Sequence, residues 1–301
     1  MTFPYQIYPG YKDKDLDMLR SFVVQQAILE NDMYIDGFSQ KTKYETVPFC
    51  DNFSPEHLTF PLPDDGCHAE VVEYIALCDS IRHANSSYCA VELGAGWGPW
   101  ITLGGVIARS RGIKNINLIG VEAQPERFLL MKNHLQLNEL RPVTDENITE
   151  MNGIRSRLIQ GAVSVKNQNL WFPIVDIGDM GSTTATTNTS SDYRGLPVKN
   201  FSVEGFTLEQ IIGDTNVDYL HIDIQGQEFE VIKSAISTLN THVKAIFVGT
   251  HSRIIEGKLI ELLYKNRWML INEKPCRVEW IGSPPSIEAM TKFDGCQYWR
   301  R

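Results

Sequence analysis

Val91-Glu92-Leu93-Gly94-Ala95-Gly96-Trp97-Gly98 decides the fold. Its first residues continue an apolar run that begins at Cys89 and reads as a short strand. The glycines that follow make a turn at which a ligand can approach bare backbone. Leu118-Ile119-Gly120-Val121-Glu122 is a second apolar strand, and it ends in a carboxylate. Placed side by side and parallel, the two strands set a glycine turn and an acid at one carboxyl edge of a sheet. That edge is where open α/β sheets bind their ligands.

Outward from this pair, strands and helices alternate. Residues 67–82 read as an amphipathic helix leading into the first strand, and residues 100–111 as the helix after it, with Gly104 and Gly105 allowing close approach to the sheet. Helical spacing returns over 126–140, 229–239 and 256–266, and strand patterns over 156–163, 218–224 and 244–249, with 268–272 and 297–300 as closing strands. This alternation predicts an α/β fold, a mostly parallel sheet with helices on both faces. Residues 1–65 read as an appended cap and 66–301 as the main domain. Within the cap, Leu16, Leu19, Phe22, Val23 and Ala27 give residues 15–30 helical spacing. The stretch from there to residue 63 is rich in proline and aromatics and predicts irregular chain. Residues 176–195, with Gly178, Gly181, Gly195 and a run of serines and threonines, interrupt the rhythm. They read either as a solvated loop or as a flap over the site. Residues 170–173 before them read as a hairpin arm.

The 301 residues, 43% hydrophobic and 22% charged, suffice for one large core or two modest ones. No apolar run is long enough to span a bilayer. The first seventeen residues mix aromatics, prolines and charges instead of a basic then apolar pattern, so no secretory signal is expected. A net charge of −9, with no run of lysines and arginines, disfavours a nucleic-acid partner. Cys50, Cys67, Cys78, Cys89, Cys276 and Cys296 include no Cys-x-x-Cys pair, against a zinc knuckle or redox motif. The expectation is a cytoplasmic protein with reduced thiols. Nothing in the pattern fixes an oligomeric state.

The order of glycines selects the cofactor. A dinucleotide site wants Gly-x-Gly-x-x-Gly, whose second glycine admits a pyrophosphate. Here the order is Gly94-x-Gly96-x-Gly98, and Glu92 precedes it. An acid at that place repels a pyrophosphate and suits an ammonium. S-adenosylmethionine carries an ammonium, a ribose diol and no phosphate. Glu92 would meet the ammonium, and Glu122 would accept hydrogen bonds from the ribose hydroxyls. A blander role for Glu92 is to partner the N-terminus of the following helix. A nicotinamide oxidoreductase is a competing reading that the glycine order opposes.

Several motifs then occur in order. They are Glu122-Ala123-Gln124-Pro125 followed by Asn133 and Asn138, Gln160-Gly161-Ala162-Val163-Ser164, and Phe206-Thr207-Leu208. The last is Asp218-Tyr219-Leu220-His221-Ile222-Asp223-Ile224-Gln225-Gly226-Gln227-Glu228. Over residues 88–252 the chain resembles FkbM-type methyltransferases. The resemblance implies a class I (Rossmann-like) S-adenosylmethionine-dependent fold of seven strands, the last antiparallel. It also implies methyl transfer to an oxygen, often a hydroxyl of a sugar or natural product. Cofactor contacts are expected from Glu92, Gly94, Ala95, Gly96, Trp97, Glu122, Ala123, Gln160, Gly161, Ala162 and Asp223. The sequence departs from the pattern at Gln225, where the family has glutamate, and at His221, where it has lysine.

Methyl transfer from a sulfonium needs alignment of acceptor, methyl and sulfur. A hydroxyl acceptor also gains roughly 10²–10⁴-fold from a base. Asp223 and His251 close two successive strands, so His251 is the expected general base, with Asp223 orienting it or the acceptor. The alternative is that His251 only caps a turn. A magnesium-like ion on Asp223, His251 and a third oxygen is a further possibility that the sequence does not favour. Glu228, Tyr193 and Arg194 are weaker candidates for contact with a small hydroxylated acceptor. His134 reads as a surface residue, His221 as a core histidine, and His68 and Glu70 as helix-capping residues. Trp97 and Trp100 either wall the methionine end or simply pack. A nitrogen or carboxyl acceptor, or a catalytically silent member that only binds, remains open at this stage.

Overall fold

The chain enters its fold through helix α1 (Asp13–Arg20) and a small antiparallel sheet of β1 (Ile28–Leu29), β2 (Met33–Ile35) and β3 (Lys41–Lys43). A computed structural model describes residues 9–47, 69–176, 179, 181–192, 195–280, 282–284, 286 and 288–301. Then come α2 (Val71–Arg82), β4 (Ser87–Leu93), α3 (Pro99–Ser110), β5 (Asn115–Glu122) and α4 (Pro125–Leu137). Strands β6 (Ile148–Met151), β7 (Ile154–Gln160), β8 (Ala162–Val163), β9 (Gln168–Ile174) and β10 (Lys199–Phe206) follow. The C-terminal half adds α5 (Leu208–Ile212), β11 (Tyr219–Ile222), α6 (Glu228–Ser234), α7 (Ile236–His242), β12 (Ala245–Thr250) and α8 (Arg253–Lys265). It ends with β13 (Met269–Lys274), β14 (Arg277–Val278), β15 (Thr291–Phe293) and β16 (Gly295–Arg300).

The main sheet has the order β13-β16-β12-β11-β4-β5-β7-β6. The five strands from β12 to β7 are parallel, and β16 runs antiparallel between β12 and β13. These are the seven strands that the resemblance implies. An eighth, β6, adds an antiparallel edge beside β7. Strand order reverses between β4 and β11, and such a switch opens a crevice at the carboxyl ends.

Side chains on a strand alternate between the two faces of the sheet. In β4, Tyr88 and Ala90 join a core with α2, α3 and α4, while Cys89, Val91 and Leu93 join another with α5 to α8. By the same alternation Glu92 of β4 and His221 of β11 share the α3 face, and they are register partners. Close packing there uses Gly105, where a β-carbon would lie 2.8 Å from the Leu140 side chain and 2.9 Å from Leu118.

Four expectations are corrected. The helix expected over 15–30 stops at Arg20. The Ser21 hydroxyl donates to the Met18 carbonyl at 2.6 Å, and Val24 N–H donates to Gly37, drawing the chain toward strand pairing. The irregular chain expected up to residue 63 contains β2 and β3 within its described part. The strand expected over 156–163 divides at Gly161, whose N–H donates to the Glu122 carbonyl. Beyond it β8 leaves the main sheet and pairs with β10. The helix over 229–239 breaks at Ala235 into α6 and α7, which lets Ile232 and Leu239 enter the same core. The hairpin arm is present, with β9 antiparallel to β10. Residues 67 and 68, which open the expected helix before β4, lie outside the described residues.

The cap is fastened to the main sheet's helices. Lys41 N–H donates to the Asn138 side chain at 2.8 Å, and the Asn138 amide returns a bond to the Lys41 carbonyl. Gln40 donates to the Pro99 carbonyl, and Asn272 of β13 donates to the Gly10 carbonyl.

Gly94 carries the tightest requirement. Its φ is +73°, and a β-carbon there would fall 1.8 Å from the Asp223 carbonyl oxygen. Gly94→Ala is therefore expected to cost at least roughly 2 kcal/mol of stability. Urea titration followed by tryptophan fluorescence measures this.

Candidate active site

The glycine turn is held down by strand ends. Gly94 and Ala95 N–H donate to the Val121 carbonyl at 3.0 and 2.9 Å, and Asp223 N–H donates to the Leu93 carbonyl at 3.0 Å. These bonds bring the ends of β4, β5 and β11 together, and a cavity lies against them. Gly94, Ala95, Gly96 and Glu122 line its middle. Toward β7 it is walled by Ala123, Gly161, Ala162 and Val163, and toward β11 by His221, Asp223 and Gln225. Trp97 and Trp100 also line it, Trp97 at 5% exposure, so both wall the cavity and pack.

The two acids expected at the cofactor behave differently. Glu122 receives the Gly96 N–H on one oxygen and the Gln124 N–H on the other, each at 2.7 Å. Burial raises its pKa, and these amides with Arg127 work against the rise. Each oxygen keeps a further lone pair for a ligand hydroxyl. Glu92 accepts the Ile101 N–H at 2.9 Å, at the start of α3. It also lines the cavity, so a helix-end role and a ligand-facing position coexist. Burial pushes the Glu92 carboxyl up to about 8.

Near Glu92 lie two residues of which one was not foreseen. His221 Nε2 is 3.1 Å from a Glu73 carboxylate oxygen, and its ring stacks between Trp100 and Phe247. Burial lowers its pKa. Its stacking accords with the core histidine expected at this place. It also faces the cavity, as does Glu73. Glu73 sits one helical turn into α2 with nothing in its local pattern to set it apart from a capping acid. Glu70 N–H does donate to it.

Outside the cavity lining, behind Asp223, His251 follows β12 and precedes Ser252, whose hydroxyl caps α8 by accepting the Ile255 N–H. His251 Nδ1 lies 2.9 Å from Glu228 Oε1, and Nε2 lies 3.3 Å from Asp223 and 3.9 Å from Asp294. Burial alone would depress the histidine. Glu228 and Asp223 outweigh it and lift its pKa well above the usual value. Asp223 moves the other way. Burial would raise it, but His251 holds it below the usual carboxylate range.

Three placements differ from expectation. Glu228, expected at the acceptor, is fully buried behind His251, where one oxygen also accepts the Ile224 and Gly226 N–H groups. Gln160 is exposed and outside the cavity lining, because the chain turns at Gly161 immediately after it. His134, expected at the surface, is 1% exposed. Its ring nitrogens lie 3.1 Å from the Trp97 and Lys41 carbonyls, and burial lowers its pKa to about 4. Tyr193 and Arg194 lie outside the described residues.

The sequence profile of the methyltransferase FkbM domain matches residues 100–267. The chain belongs to the FkbM methyltransferase family. A putative methyltransferase from Jannaschia sp. (strain CCS1) is 32% identical over 233 residues, which is 76% of this chain and 78% of that protein. Two solved structures are similar at a TM-score of 0.41. The precorrin-6y C5,15-methyltransferase of Geobacter metallireducens GS-15 is 12% identical, over 78% of this chain and 89% of that one. The methyltransferase FkbM of Methylobacillus flagellatus KT is 14% identical, over 81% of this chain and 56% of that one. As an FkbM methyltransferase the protein uses S-adenosylmethionine.

The residues of the cavity fit this cofactor. Glu73 and Glu92 at one end suit an ammonium and oppose a pyrophosphate. His221 Nδ1, Ser182 Oγ and Thr183 Oγ1 are buried without a protein partner, and all three residues line the cavity. Buried polar atoms of that kind are satisfied by a ligand or water. Asp223, Glu228 and His251 offer atoms within 4.8 Å of one another that could grip a metal ion. Glu228, however, already serves two amides and the imidazole. Among the described residues no helix is long and apolar enough to cross a membrane.

An ammonium arriving at a protonated Glu92 favours its ionisation. Cofactor binding at pH 7 is expected to release a proton, and Glu92→Gln to abolish the release. Titration calorimetry in buffers of different ionisation enthalpy measures it.

Proposed function

We propose that this FkbM methyltransferase methylates a hydroxyl group of a small-molecule acceptor, with His251 as general base. The observation that carries this reading is the orientation of His251. Its Nδ1 is occupied by a fully buried carboxylate, Glu228, while Nε2 points toward Asp223, a residue of the cavity wall. A base fixed through one nitrogen, with the other facing the cavity-wall carboxylate of Asp223, is suited to take a proton from an acceptor that comes between it and Asp223 at the ends of β11 and β12.

When bound, S-adenosylmethionine supplies an electrophilic methyl group and departs as the neutral thioether. The chain's own groups do the rest. Glu92 and Glu122 hold the two polar ends, Gly94 to Gly96 admit the ligand to the backbone, and Asp223 orients the acceptor beside His251. The acceptor hydroxyl, on taking that methyl group, would pass its proton to His251 Nε2. Glu228 and Asp223 then stabilise the imidazolium, which returns its proton to solvent. The same two carboxylates that make His251 a stronger base keep it protonated to higher pH. Turnover should therefore rise with pH through a value above the ordinary histidine range.

Removing His251 tests the assignment. His251→Ala is expected to lower kcat by roughly 10²–10⁴-fold at unchanged affinity for S-adenosylhomocysteine. Unchanged turnover in this variant would remove His251 from the mechanism. Glu228→Gln takes away one anion and should shift the rising limb of the pH–rate profile toward lower pH. The same change shows in stability. The wild-type pair contributes fully below about pH 6.5, and the contribution fades as pH rises through the raised folded value. Chelation with EDTA should leave turnover unchanged. A screen of hydroxyl, amine and carboxylate acceptors, read by transfer of labelled methyl, distinguishes O-methylation from its alternatives.

A further inference from the structure

Between β9 and β10, the described residues Val175, Asp179 and Ala185 are each fastened by hydrogen bonds, and Ser182 to Thr184 line the cavity. Trp171 and Ala185 exchange both backbone bonds at 2.8 Å. The Gln124 amide donates to the Val175 carbonyl at 3.1 Å, and Arg127 donates to the Asp179 carbonyl. Both anchoring residues lie close to Glu122 in the structure. Gln124 N–H binds its carboxylate, and the charge of Arg127 acts on it. Between the anchors, Ser182 is 7% exposed. Its hydroxyl and that of Thr183 have no protein partner and line the cavity.

The same cavity has an apolar lining of Ala123, Ala162, Val163 and Phe172, of which Ala123, Ala162 and Phe172 belong to one packed cluster. Such walls accept the flat faces of a purine but leave its polar edge unsatisfied. A hydroxyl both donates and accepts, and so matches an edge that carries an amino group beside a ring nitrogen. Burying two hydroxyls without partners is costly, and a ligand that satisfies them recovers that cost. We infer that Ser182 and Thr183 form a roof over the cofactor's nucleoside and hydrogen-bond the edge of its base, with Gln124 and Arg127 coupling that roof to the acid at the ribose. This rests on S-adenosylmethionine as the cofactor. It assigns a binding role to two residues that lie between the third-strand motif ending at Ser164 and the one that begins at Phe206.

Calorimetry with S-adenosylhomocysteine and amide hydrogen exchange test it without recourse to turnover. Ser182→Ala with Thr183→Val should raise the Kd about tenfold, the loss of one or two net hydrogen bonds. Thr183→Ser keeps the hydroxyl and should stay within about twofold of wild type, which separates lost bonding from disturbed folding. In the wild type, exchange at residues 181–185 should slow on binding together with residues 94–98. Unchanged affinity in the double variant, or slowing at 94–98 alone, overturns the roof while leaving the cofactor in place. A wild-type protein that takes up no S-adenosylhomocysteine overturns the cofactor assignment and the roof with it.

Discussion

The α-carbon of Gly94 rests against the carbonyl of Asp223, too near for any side chain to intervene. This contact joins the turn after β4 to the turn after β11, on the two sides of the point where strand order reverses. Several features depend on it. It opens the floor of the cavity to the backbone, and it carries Asp223 to the rim. From there Asp223 can meet His251 from the next strand. A bulkier residue at position 94 would force the two turns apart and shift Asp223 relative to the cavity floor. Gln225, at φ +50°, and Gly226, at +93°, complete the second turn and aim the Gly226 amide at Glu228.

Around this floor the buried acids divide the electrostatic work. Glu122 is surrounded by backbone amides, Glu92 has one amide and deep burial, and Glu228 is spent on amides and an imidazole. Their surroundings, more than their residue type, set how each responds to a ligand. Glu92 gains its charge most readily when a cation arrives. Glu228 meets His251 and stays outside the cavity lining. Carboxylates gathered at one sheet edge thus differ in charge and partners: Glu92 pushed up by burial, Glu122 held by amides, and Glu228 bound to an imidazole.

Much of this was legible in the sequence because period-two strands and glycine turns are local signals. Val91 to Gly98 and Leu118 to Glu122 announce the sheet edge directly, and the ordered motifs fixed the family. The failures have a common cause. Gln160 sits in a family motif, but exposure depends on where the chain leaves the sheet, and Gly161 turns it there. His134 lies among polar residues in α4, whose outward appearance hides that the cap closes over it. Glu228 opens a helix like many acids, and only the fold shows that the loop after β12 places a histidine against it. Ser182 and Thr183 sit in a polar run that reads equally as solvated loop or as flap, and only the pairing of Trp171 with Ala185 brings them to the cavity. In each case a contact distant in sequence overrode the local pattern.

The bonds between Lys41 and the buried pair His134 and Asn138 bear on engineering. A chimera that exchanged the first segment for that of a relative would have to present a carbonyl and an amide at the same height above α4. Otherwise a buried imidazole and a buried carboxamide would each lose the partner that Lys41 supplies, next to the His134 contact with the Trp97 carbonyl. Such a graft would disturb the foundation of the cavity wall at Trp97 along with the surface it replaced.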